Sequence, residues 1–257
     1  MLFLFLDRKY NKLRGAQYLK NENMQYHDKG LVTMTDLEEF RTKLHTRYMS
    51  EFDGFWRWKI KIETEGEHIL DDNYRDQACS KLWSALRGWQ AYRPCDSNVC
   101  LRVLKGALKN MADSYNQIRN YSLLEFDRVP NKPLNVIWHE LGRVKEIDGR
   151  KNEHGYYYIV SLTKHLMFLW GQTPAFDSKV RTRMPSSFNI SRYNQWPFEE
   201  WKRVLADIQK NLTQEPEVVA TFKEESQKRY GTESIVPYGR FLDMYYHQAP
   251  ETHEKKG

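Results

Sequence analysis

One carboxylate and three cations share a short stretch of this chain: Asp177 is followed by Lys179, Arg181 and Arg183. A carboxylate can stabilise developing positive charge or deprotonate a water, and cations behind it attract phosphate oxygens. The pairing suits chemistry on an anionic polymer. Upstream, Gly155 and Tyr157 precede an apolar segment, and Asp177 stands 20 residues beyond Tyr157. A helix over about 158–169 would rise roughly 17 Å. The loop from Trp170 to Phe176 can span at most about 23–25 Å. It is therefore long enough to return Asp177 to the start of the same helix. The competing role for Asp177 is an N-cap, whose oxygen satisfies N–H groups of the helix beginning at Ser178. The two roles are compatible. Gly155 would let backbone amides approach a phosphate beside a helix N-terminus, or it is simply a loop glycine. Lys164 lies one to two turns past Tyr157 and is the only lysine in that helix. It reaches phosphate, serves as a fallback nucleophile, or extends its amine to solvent.

The elements that must position these residues read as helices. The chain has 257 residues, enough for one domain with a sizeable core. Lys and Arg number 40 against 34 Asp and Glu, a net charge of +6 that is compatible with a polyanion partner. With 16 Tyr and 8 Trp, stacking surfaces for bases are available beyond those the core consumes. Three cysteines, Cys79, Cys95 and Cys100, without a Cys-x-x-Cys pair, argue against a disulfide framework or a zinc site. His139 and Glu140 begin a zinc His-Glu-x-x-His pattern, but position 143 is Arg. No cofactor is expected. The opening MLFLFL is too short for a signal-peptide core or a membrane span, so a cytoplasmic location is expected.

Residues 1–32 read as irregular. A capping box at Thr35 and Glu38 starts a helix to about Ser50. From Phe55 to Glu63, Trp56, Trp58, Ile60 and Ile62 alternate with Arg57, Lys59, Lys61 and Glu63, a strand signature or the start of a helix. Helical spacing covers 72–92, 97–119 and 134–144, with the loop 147–155 as a hairpin. Later helices are predicted over 198–212, 216–230 and 236–247, followed by a disordered tail over 248–257. The expectation is a mainly α chain of about eight to ten helices, in one domain over 33–247 with two lobes around a cleft, and at most a minor β ribbon.

The run from His154 to Met184 resembles the helix-hairpin-helix base-excision DNA glycosylases. Gly155 matches the hairpin glycine, Tyr157 the position of the family's lysine nucleophile, and Pro174, Asp177 and Val180 the Pro-x-x-Asp-x-x-Val turn. The wording PAFDSKVR also resembles small bacterial relatives, some associated with phage defence. The resemblance implies a helix-hairpin-helix glycosylase-like bundle and a DNA partner; a monomer is expected, and no apolar run long enough for a membrane partner occurs. It makes Asp177 the carboxylate that stabilises an oxocarbenium-like sugar and orients the attacking water. With tyrosine at position 157, a Schiff-base lyase step is not expected. Tyr157 would instead hydrogen bond around the deoxyribose or pack. Gly155, Lys164, Lys179, Arg181 and Arg183 become candidate phosphate contacts.

A glycosylase must also hold a flipped base between aromatic walls. The candidates are Trp89 with Gln90, Trp138 with His139, and Trp170 with Gln172, each of which core packing would also explain. The segment from Ser191 to Trp201, with Arg192, Tyr193, Asn194 and Trp196, could touch DNA or staple the following helix. The expected function is a monofunctional DNA glycosylase. The alternative is a catalytically inactive helix-hairpin-helix DNA-binding or defence-system subunit. A weaker third reading is a helical scaffold that binds protein through its aromatics.

Overall fold

The apolar residues of this chain recur at helical spacing, and the computed structural model is mainly helical, with one two-strand ribbon. It describes residues 47–92, 97–145, 155–191 and 193–248. The segment expected to be irregular, most of the helix expected over 35–50, the hairpin loop through 154 and the tail beyond 248 lie outside these. The α-helices are α1 (Arg47–Thr64), α2 (Arg75–Gly88), α3 (Ser97–Asn110), α4 (Ala112–Ile118), α5 (Asn131–Gly142), α6 (Ile159–Leu169), α7 (Ser178–Arg183), α8 (Phe198–Thr213), α9 (Pro216–Tyr230) and α10 (Tyr238–Gln248). Strand β1 (Tyr157–Tyr158) pairs antiparallel with β2 (Gln195–Trp196), Tyr157 opposite Trp196.

Local sequence explains most of the boundaries. Trp201, Val204, Leu205, Ile208 and Leu212 put one buried stripe on α8. Pro216 occupies the first turn of α9, where its missing N–H costs nothing, and Gly231 ends that helix with φ +74°. Helical spacing over 97–119 is divided between α3 and α4, which meet at Met111. A 3₁₀ turn at Leu123–Arg128 follows, and sequence spacing gave no sign of it.

The alternation from Phe55 to Glu63 does not make a strand. Those residues belong to α1, where Phe52, Phe55, Trp56 and Lys59 are buried at helical spacing. The reason is Lys59. It is polar by type but has no exposure, because its ammonium pairs with Glu63 one turn on and lies over the Trp56 ring, 4.4 Å from the centroid. Glu63 also accepts the Tyr115 hydroxyl at 2.8 Å. A charged pair thus sits in the core between α1 and α4, and burial pushes the Lys59 ammonium below its ordinary pKa while Glu63 opposes the shift.

The core is one connected cluster running from Phe52 to Tyr246. Within it the imidazole of His165 lies 2.7 Å from Ser161 O through Nδ1 and 3.0 Å from the Tyr92 hydroxyl through Nε2. Nδ1 must carry the proton to donate to the carbonyl, so Nε2 accepts from Tyr92. Burial lowers the His165 pKa from 6.5 to about 4. Between those values the unfolded chain binds a proton that the folded chain refuses, so stability falls as pH drops through that window. The expected loss from this group is about 2–3 kcal/mol between pH 7 and pH 4.5. Urea unfolding at the two pH values reads it, and His165→Gln should shrink the difference by that amount. An unchanged difference would show that His165 does not govern the acid response.

Candidate active site

The loop between α6 and α7 is held from several sides. Thr163 on α6 places its hydroxyl 2.6 Å from Ile159 O and 2.7 Å from Ala175 O, tying the returning chain to the helix it left. Gln172, buried, accepts Leu123 N–H at 2.8 Å and donates to Val236 O at 2.9 Å. Trp201 donates from Nε1 to Thr173 Oγ1 at 3.2 Å. From the far side α10 presses Gly239 against the loop. A Cβ there would lie 2.2 Å from Thr173 N, so only glycine permits the approach. Two residues before α7, Phe176 is fully buried and adopts φ +47°. That conformation is strained for an aromatic residue, and it is held by packing against Trp196, ring centroids 5.1 Å apart.

This strap fixes Asp177. Its backbone is extended and its Oδ1 accepts Val180 N–H at 2.9 Å, so it is the N-cap of α7, as one of the two sequence readings required. The residue is half-buried, and its carboxylate acts electrostatically on Lys164 and Arg181. Lys164 donates to Trp89 O at 2.7 Å, and burial pushes its amine below the ordinary lysine range, with Asp243 and Asp177 opposing. Asp243, on α10, accepts Ala175 N–H at 3.0 Å and Arg240 at 2.8 Å. Burial raises its carboxyl pKa, and the Arg240 charge works against that rise. The Arg240 guanidinium lies over Trp89 at 4.8 Å and Phe52 at 5.3 Å. Lys145, over the Tyr158 ring at 5.0 Å, adds a further positive field on Lys164. Together α6, the loop, α7 and α10 carry Lys164, Lys179, Arg181, Arg183 and Arg240 against Asp177 and Asp243, an excess of positive charge of which Lys179 is the exposed member.

The sequence candidates divide. Asp177, Lys164, Trp89 and Arg181 share this neighbourhood. Lys179 is exposed on α7. Arg181 reaches Tyr193 O and Asn194 Oδ1, each at 2.8 Å, while Asn194 O accepts Ile159 N–H at 2.9 Å, so the guanidinium braces α7 against the start of α6. Arg183 donates to Tyr246 O at 3.1 Å and His247 O at 2.6 Å, near the end of α10. Gln90, exposed, turns the chain after α2 with φ +56°. Gly155 has φ +65°, and a Cβ there would touch His139 Cε1 at 3.4 Å.

Tyr157 points elsewhere. It is buried, its hydroxyl lies 2.9 Å from His139 Nδ1, and its ring fills the space a Cβ on Gly142 would need. Burial and the nearby Arg143 lower the His139 pKa. Trp138 has no exposure and stacks on Trp201 at 4.9 Å. Trp170 is 1% exposed and donates to Tyr121 O at 3.0 Å. Both rings are walls of the core, and a base could reach neither without opening the bundle.

Phe176, Arg240, Asp243 and Lys145 were not singled out from sequence. Nothing in residue type marks Arg240 and Asp243, three apart on α10, as buried. A groove of about 310 Å³ between the 3₁₀ turn and α8, floored by Phe126, Val129 and Leu134, shares no lining residue with the Asp177 neighbourhood. Among the described residues no group of three His, Cys, Asp or Glu side chains is placed to hold a metal. No helix among them is long and apolar enough to cross a membrane. No protein-family profile matches the chain, and neither a curated protein nor a solved structure is significantly similar to it.

Proposed function

We propose that this protein hydrolyses the N-glycosidic bond of a flipped, damaged or modified base in DNA, with Asp177 at the centre. The observation that carries the reading is the fixed, half-exposed Asp177 carboxylate in a positively charged surround that includes Lys164 and Arg181. As the base departs with the electrons of its bond to C1′, the sugar gains positive charge that this carboxylate stabilises. A water oxygen then bonds to C1′, its proton passes to Asp177, and the departing base takes up a proton from solvent. The surplus cations would bind the flanking phosphates. Lys179 is the exposed member of that set, and Gly155 offers a backbone that can approach a phosphate closely. Tyr157, bonded to His139, serves the site by fixing the ribbon that starts α6.

A second reading is DNA binding without chemistry. It is favoured by the placement of Trp138 and Trp170 in the core and by the use of Arg181 and Arg183 on the protein's own carbonyls. Incubating the purified protein with single- and double-stranded oligonucleotides carrying normal, damaged and hypermodified bases separates the two. Alkali-labile sites with released free base support the enzyme. Binding that weakens steeply with salt, without base release, selects the second reading. Neither binding nor release overturns both.

A further inference from the structure

Tyr193 is 80% exposed, and no other large apolar side chain among the described residues is as open: Tyr156 follows at 46% and Val99 at 42%. A single exposed aromatic is ordinary. What distinguishes Tyr193 is that its backbone is clamped while its ring is free of the protein surface. Its carbonyl accepts both Arg181 Nη1 at 2.8 Å and Trp196 Nε1 at 2.9 Å, and its N–H donates to Ser191 Oγ at 3.3 Å. Its neighbour Asn194 is held by Arg181 and by Ile159 N–H. Trp196, the other anchor, has no exposure and packs on Phe176. The ring therefore projects from a fixed base, and presenting it costs little of the ordering entropy that a mobile loop would lose on binding. The clamp itself is a cation of α7, one turn beyond Asp177, with exposed Lys179 on the same short helix.

We propose that Tyr193 is a stacking residue for an unpaired nucleobase of a DNA strand whose phosphates lie along this cationic end. A fixed aromatic face beside lysine and arginine is the arrangement that binds unstacked bases whatever their sequence. A paired base in a duplex has both faces covered by its neighbours, so the site prefers a single-stranded or locally opened strand. This inference rests on the nucleic-acid reading above and adds to it the state of the strand.

The test is fluorescence anisotropy with three labelled probes of equal length: single-stranded oligothymidylate, the same strand paired with oligoadenylate, and a strand of abasic residues. The wild-type protein should bind the oligothymidylate more tightly than either other probe. Tyr193→Ala should weaken oligothymidylate binding roughly 5- to 150-fold, the range of one base–aromatic stack. It should leave the abasic strand, the salt slope and Tm unchanged, because the ring touches no core. Tyr193→Phe and Tyr193→Trp should keep wild-type affinity. Lys179→Glu should instead weaken all three probes together and flatten the salt slope. Oligothymidylate binding that is the same in Tyr193→Ala as in the wild type overturns this inference and leaves the DNA reading standing. Failure of the wild-type protein to bind any probe overturns both.

Discussion

Asp177→Asn is expected to reduce base release by about 100-fold or more while the protein keeps its fold, since the loss of a transition-state electrostatic partner has that magnitude. The amide keeps the oxygen that caps α7, and asparagine is as good an N-cap as aspartate, so Tm should move by no more than a few degrees. On the proposed reading, what disappears is the negative charge that would face the sugar and the site that would receive the water's proton. Asp177→Ala makes the control, because it removes cap and charge together and should cost about 1 kcal/mol of stability as well. Abasic-site formation by the two variants and by wild type, at matched folded fraction, decides the matter. If Asp177→Asn retains activity, this carboxylate is a cap and nothing more. If both variants bind DNA as wild type does while releasing no base, Asp177 works on the chemical step alone.

Glu63→Gln is the substitution expected to cost the fold most among those considered. It keeps the size of the side chain but only one of its two acceptor oxygens, and it leaves the Lys59 ammonium without its counter-charge at zero exposure. Breaking one half of a buried ion pair costs about 3–5 kcal/mol, which for a chain of this length lowers Tm by roughly 6–20 °C. The Tyr115 hydroxyl, which also reaches Leu169 O at 2.9 Å, retains a partner, so the loss is electrostatic. The double variant Lys59→Met, Glu63→Gln removes both charges and should recover most of the stability. Chemical denaturation of the two singles and the double reads the coupling. A Glu63→Gln protein within 1 kcal/mol of wild type would show that Lys59 is hydrated or sheds its proton there.

The same pair shows where sequence reading stops. The helices at 159–169, 198–213 and 216–230 were legible nearly to the residue, because buried positions recur at helical spacing and prolines mark two starts. The segment from Phe55 to Glu63 read as a strand or the start of a helix and is helix, because a rule that places lysine outside cannot anticipate an ammonium neutralised one turn away. The cap at Asp177 was legible because an acid before a basic run fits a helix start. Nothing in residue type shows that Trp89, Trp138 and Trp170 are all buried in the core, or that Trp89 lies beside Lys164. That placement comes from packing between elements far apart in the chain. The strain at Phe176 was equally invisible, since Trp196, the ring that packs against it, is far from it in the chain.

The hold that α10 takes on the Asp177 loop has a consequence for how the molecule comes into being. Ala175 and the Asp243 that secures it are 68 residues apart, and the glycine contact at Thr173 spans a similar distance. A ribosome therefore completes α6, the loop and α7 well before the helix that clasps them has emerged. Until then the strained turn at Phe176 has only part of its support, and the nascent chain carries Asp177 without its final seat. The chemistry proposed for that residue would switch on only after α10 has emerged and docked.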